Sequence, residues 1–179
     1  MYTPSAFVRR PDASVGYAYS GGVTGLTVGW DHDVELLLDF LNTRHVLDSE
    51  ASWRAWVSER GLGRSGDITQ ARAARAALRS SLDGSSGPQT AAGSVRIELN
   101  GGVPMLASSD ALGAVLAASA RLAVLGSWER FKICPAEGCL SAFFDRSRNR
   151  SRTWCSMQVC GNREKARNFR ERTRALAVH

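Results

Sequence analysis

Four cysteines are the residues of this sequence whose chemistry is easiest to identify. Cys134 and Cys139 lie in ICPAEGC, Cys155 and Cys160 lie in CSMQVCG, and fifteen residues separate the two pairs. These are the only cysteines of the protein. Each pair fits on one tight turn, and the span between them is long enough to bring the pairs together. Because four thiolates in a tetrahedron favour Zn²⁺, or less often iron, the spacing predicts one metal ion.

Two disulfides would be the other use of four cysteines, and disulfides persist in oxidising compartments. The first 22 residues contain no continuous apolar segment of the kind that a signal peptide needs. No stretch reaches the roughly 18–20 apolar residues of a membrane span. We therefore expect a cytoplasmic protein with reduced thiols and no membrane partner. Four thiolates leave zinc no open position, so we expect a structural ion and no enzymatic activity.

The positive charge of the chain lies in the same region as the cysteines. Residues 1–126 carry 11 Lys/Arg and 12 Asp/Glu, whereas residues 127–179 carry 12 Lys/Arg and 5 Asp/Glu. This asymmetry predicts a polyanionic partner, and we expect duplex DNA. Offsetting the net −2 charge of a zinc tetrathiolate is the alternative, but it needs fewer cations. The candidate DNA contacts are Arg146, Arg148, Arg150, Arg152, Arg163, Lys165, Arg167, Arg170 and Arg174.

The segment around the cysteines predicts a small zinc module with a treble-clef-like order of elements. SAFFD and RTW are expected to form two strands, which place Phe143 and Phe144 in the apolar cluster of the module. Asn162 is a good N-cap for a final helix over about residues 163–177. A module of this size buries too little apolar surface to fold without its metal. The side of the helix expected to pack consists of Ala166, Phe169, Thr173, Leu176 and Ala177.

The residues before the module predict a helix-rich α+β domain with a small antiparallel sheet. After a loose lead-in at residues 1–22, VTGLTVG favours a short strand, and Asn100-Gly101-Gly102 favours the turn of a β-hairpin. Residues 84–93 have the composition of a flexible loop. Arg72, Arg75 and Arg79 form a stripe expected to be solvated. The apolar periodicity predicts helices at about residues 34–45, 49–60, 67–82 and 111–126, the first of them capped by Asp31 or Asp33. The predicted division is therefore 1–22, 23–126 and 127–179.

Polar residues stand out on the first predicted helix, which is apolar over most of its surface. Asp39, Asn42 and Thr43 share one face, with Arg44 beside them. One interpretation is that these side chains tie the helix to neighbouring backbone, since buried polar groups need partners. The other is a polar patch that lines a pocket for a small-molecule ligand.

Two stretches resemble known families. Cys134, Cys139 and FFDRSRNRSRTWCSMQVCGNREKAR resemble the CGNR zinc finger, which is named for residues such as Cys160-Gly161-Asn162-Arg163. LLLDFLNTR and the tryptophan-bearing second helix resemble the ABATE domain. Together the two stretches cover most of the chain after residue 22. The resemblance implies a bacterial, stress-linked transcription regulator whose finger binds DNA and whose N-terminal domain binds a ligand.

Three functions remain open on the sequence. A DNA-binding regulator is favoured, and a homodimer would suit it, although the sequence shows no heptad seam. An RNA-binding zinc protein is the second, and it is disfavoured because few aromatic side chains are expected to be exposed. An enzyme with a pocket around Asp39 is the third, but no nucleophile–base arrangement accompanies that residue.

Overall fold

The computed structural model describes residues 17–18, 27–84 and 90–176. These residues form an α+β structure of helices and two-stranded antiparallel sheets. The strands are β1 (Tyr17–Ala18), β2 (Thr27–Val28), β3 (Arg96–Asn100), β4 (Val103–Ala107), β5 (Phe131–Ile133) and β6 (Ala142–Phe144). The helices are α1 (Trp30–Leu41), α2 (Glu50–Glu59), α3 (Ile68–Leu82), α4 (Ala111–Val124) and α5 (Asn162–Leu176).

One core joins the first four helices, which we call the helical body. Phe40, Trp53 and Leu122 are fully buried in it, and the rings of Trp53 and Trp56 stack at 5.2 Å. Helix α4 packs against α1. The buried residues of α4 are mostly small or aliphatic, which allows this packing. The predicted apolar periodicity of the four helices is confirmed by this core.

The ends of α1 differ from the prediction. The helix begins at Trp30 after Gly29, and neither Asp31 nor Asp33 is its N-cap. Asp33 instead accepts two hydrogen bonds from the Arg121 guanidinium, at 2.6 and 2.8 Å. The helix ends at Leu41 and not near residue 45, and the Asn42 side chain that follows it donates to the Ala142 carbonyl.

The predicted hairpin is confirmed as β3–β4, but its apolar face points outward. Asn100 pairs with Val103, so Gly101 and Gly102 form a two-residue turn. Both glycines have positive φ, at 59° and 84°, which side chains with a Cβ rarely adopt. Ile97 and Leu99 alternate as expected and yet remain largely exposed.

The strands of the cysteine region pair differently from the prediction. SAFFD forms β6, as expected, but its partner is β5, where Phe131 pairs with Phe144, and not RTW. Residues 152–154 are not in a strand. Phe144 packs edge-to-face on Phe131 and Trp30, inside the core of the helical body. Only Phe143 packs with the cysteines.

The final helix also faces a direction that the sequence did not predict. It is preceded by a π-helical turn at Met157–Gly161, which Ser156 caps through its hydroxyl, so Asn162 is not the cap. Glu164 is buried and pairs with Arg167 at 2.6 Å. The expected packing side is exposed instead, with Phe169 at 65% and Leu176 at 79%.

Several predictions fall partly outside the described residues. These are the lead-in at residues 1–22 apart from β1, the strand at residues 23–29 apart from its end, the middle of the 84–93 loop, and Ala177. The described end of that strand, β2, pairs with β1 within the lead-in. No helix in the described ranges is long and apolar enough to cross a membrane.

Candidate metal centre and basic surface

The four predicted cysteines come together at one point. All four Sγ atoms lie within 4.8 Å of one another, and the Cys139–Cys155 and Cys155–Cys160 pairs lie at 3.5 and 3.6 Å. A tetrahedral zinc ion with Zn–S bonds of about 2.3 Å places its ligands about 3.8 Å apart. The sulfurs are too far apart for disulfide bonds, and the cysteines are free. The geometry and the donor set therefore fit one structural zinc ion.

Two tight segments present the sulfurs. The first, which we call the knuckle (residues 134–139), turns at Gly138, whose φ is +70°. The Cys134 amide donates to the Ser141 carbonyl at 2.8 Å, which holds the start of the knuckle beside the residues that follow it. The second begins at Cys155 and continues through the π-helical turn, which carries Cys160 into α5. A Cβ on Gly161 would lie 2.5 Å from the Met157 sulfur and 3.0 Å from the Trp154 ring, so a larger residue there would displace the Met157 side chain.

The environments of the thiols differ. A hydrogen bond between Cys139 and the Ser141 hydroxyl, 3.4 Å away, lowers the pKa of the Cys139 thiol to about 6. Burial raises the pKa of Cys155 and Cys160. A divalent ion among the four sulfurs favours the thiolate at each of them, so metal binding releases protons.

Asp145 organises the loop of residues 146–152, which we call the arginine loop. Its carboxylate is fully buried and accepts hydrogen bonds from the Lys132 ammonium at 2.7 Å and from the amides of Ser147 and Arg152 at 2.8 Å. Burial alone would raise its pKa, but Lys132 and these amides hold the pKa of Asp145 well below its usual range. Lys132 also donates to the Arg150 and Arg152 carbonyls. Asp145 was not among the predicted site residues, although it is the only acidic side chain between Gly138 and Arg163.

Three side chains of the helical body, which we call the tie residues, bind the backbone beside the knuckle. The Asn42 amide donates to the Ala142 carbonyl at 3.0 Å and accepts from the Ala142 amide at 2.9 Å. Arg44 donates to the Cys139 carbonyl at 2.8 Å. Arg79 donates to the Leu140 carbonyl at 2.5 Å, and Leu140 has a positive φ of 53°. The tie residues therefore fix the chain from the second cysteine to β6.

The arginine stripe of α3 is only partly solvated, because all three guanidinium groups bind backbone carbonyls. Arg75 and Arg79 donate to the Leu41 carbonyl at 3.0 and 2.9 Å, and Arg72 donates to the Leu47 carbonyl at 2.7 Å. Burial lowers the pKa of Arg75 and Arg79. The last carbonyls of α1 have no partner within the helix, and Arg75 and Arg79 donate to one of them, that of Leu41.

The predicted ligand residues all bind groups of the chain itself. Asp39 is half exposed and pairs with Arg60 at 2.9 Å, and Thr43 is buried with its hydroxyl donating to the Phe40 carbonyl. Asn42 and Arg44 are tie residues. All four side chains thus have partners within the chain, and two of them, Asn42 and Arg44, bind backbone of a distant segment.

A cavity of about 350 Å³ lies elsewhere in the helical body. Asp67 and Asp110, which cap α3 and α4, line it together with Gln70, Ser94 and Leu112. Sites for small molecules have volumes of roughly 300–1,000 Å³, so this cavity has the size of a small one.

The nine predicted DNA contacts fall into two groups. Five of the nine bind groups of the chain itself. Arg146 pairs with Asp31, Arg150 with Glu129, and Arg167 with both Glu137 and Glu164. Glu164 raises the pKa of Arg167 further. Arg152 donates to the Trp154 and Cys155 carbonyls, and Arg163 donates to the Glu137 carbonyl.

The other four cations are exposed and have no partner among the described residues: Arg148, Lys165, Arg170 and Arg174. Three of them lie on α5. We call these four the free cations. The guanidinium and ammonium groups of this set are available for anionic partners, whereas those of the first group already bind within the protein.

Comparison with known proteins bears on the metal centre. The family model of the CGNR zinc finger matches residues 130–173, a segment that contains all four cysteines, the arginine loop and most of α5. Among the curated proteins, none matches the chain.

Proposed function

We propose that this protein is a transcription regulator that binds duplex DNA through its zinc-held basic surface. The observation that carries the proposal is the set of free cations, Arg148, Lys165, Arg170 and Arg174, on a module with an excess of positive charge. Cations without internal partners are the ones that can neutralise phosphates and release counterions. The match to a zinc-finger family supports a structural role for the metal. The basic surface would then be the part of the module that binds DNA.

The zinc ion would hold the fold of the module and take no part in a reaction. Four thiolates occupy all positions of a tetrahedral ion, so no site remains for an activated water. Holding the knuckle and the π-helical turn together would orient the start of α5. We accordingly propose that the protein is not an enzyme.

The helical body would bind the small-molecule signal. The cavity beside Asp67 and Asp110 supports this part of the proposal, because it has the volume of a small-molecule site. Carboxylate groups at the cavity favour a ligand that carries hydrogen-bond donors. The link to stress and the bacterial source remain expectations from the family resemblance.

Salt dependence is the experiment that tests the DNA proposal. The zinc-loaded full chain is titrated against a fluorescent random-sequence duplex of about 20 base pairs at a series of salt concentrations. If the four free cations each contact a phosphate, the slope of log K against log[salt] is about −3.6, and affinity falls about 150-fold between 50 and 200 mM salt. Binding that is absent, or independent of salt, would contradict the proposal.

A charge-matched pair of variants makes the test specific. Replacing Arg170 and Arg174 by alanine removes two free cations, and the slope is expected to shrink by about 1.8. Replacing Arg146 and Arg150 removes two cations that pair with Asp31 and Glu129, and we expect the slope to change little. The two variants have the same net charge, so a difference between them reports position and not total charge.

Single-stranded RNA is the second candidate partner. One observation of the structure favours RNA, whereas the sequence disfavoured it. Phe169 was expected to be buried but is exposed, so an aromatic ring is available for stacking on a base. Competition of duplex DNA against a single-stranded RNA of equal length distinguishes the two candidates.

A further inference from the structure

The outer side of α5 carries apolar and cationic residues that do not pack against the rest of the protein. Ala166, Phe169, Thr173 and Leu176 form a stripe along it, and all four are exposed. The opposite side contains Glu164 and Arg167. Arg167 pairs with Glu164 and with Glu137 of the knuckle. The stripe therefore points away from the protein along most of the helix.

Cations lie on both flanks of this stripe. With 3.6 residues per turn, Lys165 and Arg172 are centred about 70° to one side of it, and Arg170 and Arg174 about 100° to the other. The only described contact among these four is local, from Arg172 to the Asn168 carbonyl one turn earlier in α5. The surface thus has an apolar centre between two rows of positive charge.

We infer that the outer side of α5 enters the major groove of duplex DNA, with Phe169 against the base edges and the two cation rows on the phosphates of opposite strands. This inference rests on the proposed function and adds the contacting face and the kind of contact. A helix with its side chains is about 10–12 Å wide, and the groove is about 12 Å wide. A helix in the groove has phosphates on both flanks and bases in front, which matches the order of charges on α5. The apolar centre suits the thymine methyl groups, the apolar feature of that groove.

Other occupants fit this surface less well. A second copy of the helix would bring like-charged rows together. A membrane surface favours a larger apolar face, but Phe169 and Leu176 are the only large apolar side chains of α5. A single strand is normally held by several stacked aromatic rings, and α5 offers one.

The test uses the zinc-loaded full chain and a duplex that the wild-type protein enriches from a random-sequence pool. For Phe169→Ala, we expect affinity for the random duplex to stay within about twofold, and preference for the enriched duplex to fall about tenfold. For the double variant Lys165→Ala/Arg170→Ala, we expect affinity to fall for every sequence and the salt slope to shrink by about 1.8. Both variants change exposed positions, and zinc content and thermal unfolding verify that they remain folded.

The outcomes separate the inference from the proposed function. If the wild-type protein binds no duplex, both fail. If it binds duplex but enriches no sequence, or if Phe169→Ala binds every duplex like wild type, this inference fails and the proposed function stands. Binding of single-stranded RNA, of phosphatidylserine vesicles or of a second copy that is stronger than duplex binding, and that Phe169→Ala abolishes, would also overturn the inference.

Discussion

The helical body and the cysteine module differ in what fills their cores. The body buries large side chains from four helices, including Trp53, Phe40 and Leu37. Around the thiolates, the buried cluster consists of two of the cysteines, Ala136 and Phe143, with the other two cysteines and Trp154 packed against them. Such a cluster cannot offset the loss of chain entropy, so the metal must supply most of the free energy that folds this part.

The comparison also shows where one region ends and the other begins. By sequence the module begins at residue 127, but β5 and β6 contribute Phe131 and Phe144 to the core of the body. The hydrogen bonds of Asn42 to Ala142 join the two regions further. What depends most on zinc is therefore a smaller unit, made of the knuckle and α5, because Asp145 and Lys132 hold the arginine loop on β5.

Arginine has different roles in the two regions. In the body, Arg72, Arg75 and Arg79 bind carbonyls at the ends of other segments. On α5, Arg170 and Arg174 are exposed and bind no described group. Composition does not distinguish these roles, because they depend on which backbone atoms lie within reach of each guanidinium group.

Zinc removal is the change with the largest expected effect on this comparison. Zinc binding to small thiolate sites contributes on the order of 10 kcal/mol or more at neutral pH. Chelation, or Cys160→Ser, should therefore unfold α5 and leave α1–α4 folded. Hydrogen exchange measured along the chain checks this, with fast exchange expected in α5 and continued protection in α1 and α4. Equal loss of protection in all helices would show that the two regions fold only as one.

Truncation of the two neighbouring phenylalanines of β6 should separate the regions further. Phe144 lies in the core of the body, so Phe144→Ala should lower the free energy of unfolding of the body by about 3–5 kcal/mol. Phe143 lies beside the cysteines, so Phe143→Ala should weaken zinc binding and lower the free energy of unfolding of the body by less than about 1 kcal/mol. Urea unfolding followed by tryptophan fluorescence measures the first effect, and competition with a chelator measures the second. Similar effects of the two variants on both measurements would contradict the assignment of the rings to different cores.

Much of the helical body and the metal centre could be predicted from local signals. The apolar period of α3 and its cap Asp67, and the turn at Gly101-Gly102, depend on residues close in sequence. The cysteines are predictable because their spacing alone restricts them to a few arrangements. The family match bears out the CGNR resemblance, whereas the ABATE resemblance stays a prediction.

The errors concern contacts between distant residues. RTW and β5 are both short, and only the packing of Phe131 on the helical body selects β5 as the partner of β6. For α5 the amphipathic pattern selects the apolar side as the packing side. The helix instead packs its polar side on the knuckle, because Arg163 and Arg167 find the Glu137 carbonyl and carboxylate there. A period shows that a helix has two faces, but it does not show which face its neighbour can bind.

Asn42 offers the finest test of how the body supports the metal centre, because it is the body residue that binds β6 through both a donor and an acceptor. Asn42→Ala removes both bonds and leaves the Ala142 amide and carbonyl without this partner, which should cost about 1–3 kcal/mol of unfolding free energy. Because Ala142 follows Cys139 and Ser141 closely, we also expect zinc to transfer to a chelator about tenfold faster. Stopped-flow transfer to a coloured chelator measures this rate.

Asp39→Ala is the matched control, since Asp39 lies less than one turn earlier in the same helix and pairs with Arg60 at the surface. An exposed ion pair contributes about 0–1 kcal/mol, so this variant should change stability little and the rate of zinc transfer not at all. If both variants release zinc at the wild-type rate while Asn42→Ala is destabilised, then Asn42 supports the body but not the metal centre. If Asn42→Ala alone releases zinc faster, the C-terminal end of α1 positions the knuckle, and a ligand that shifts this helix would alter the metal centre through that amide.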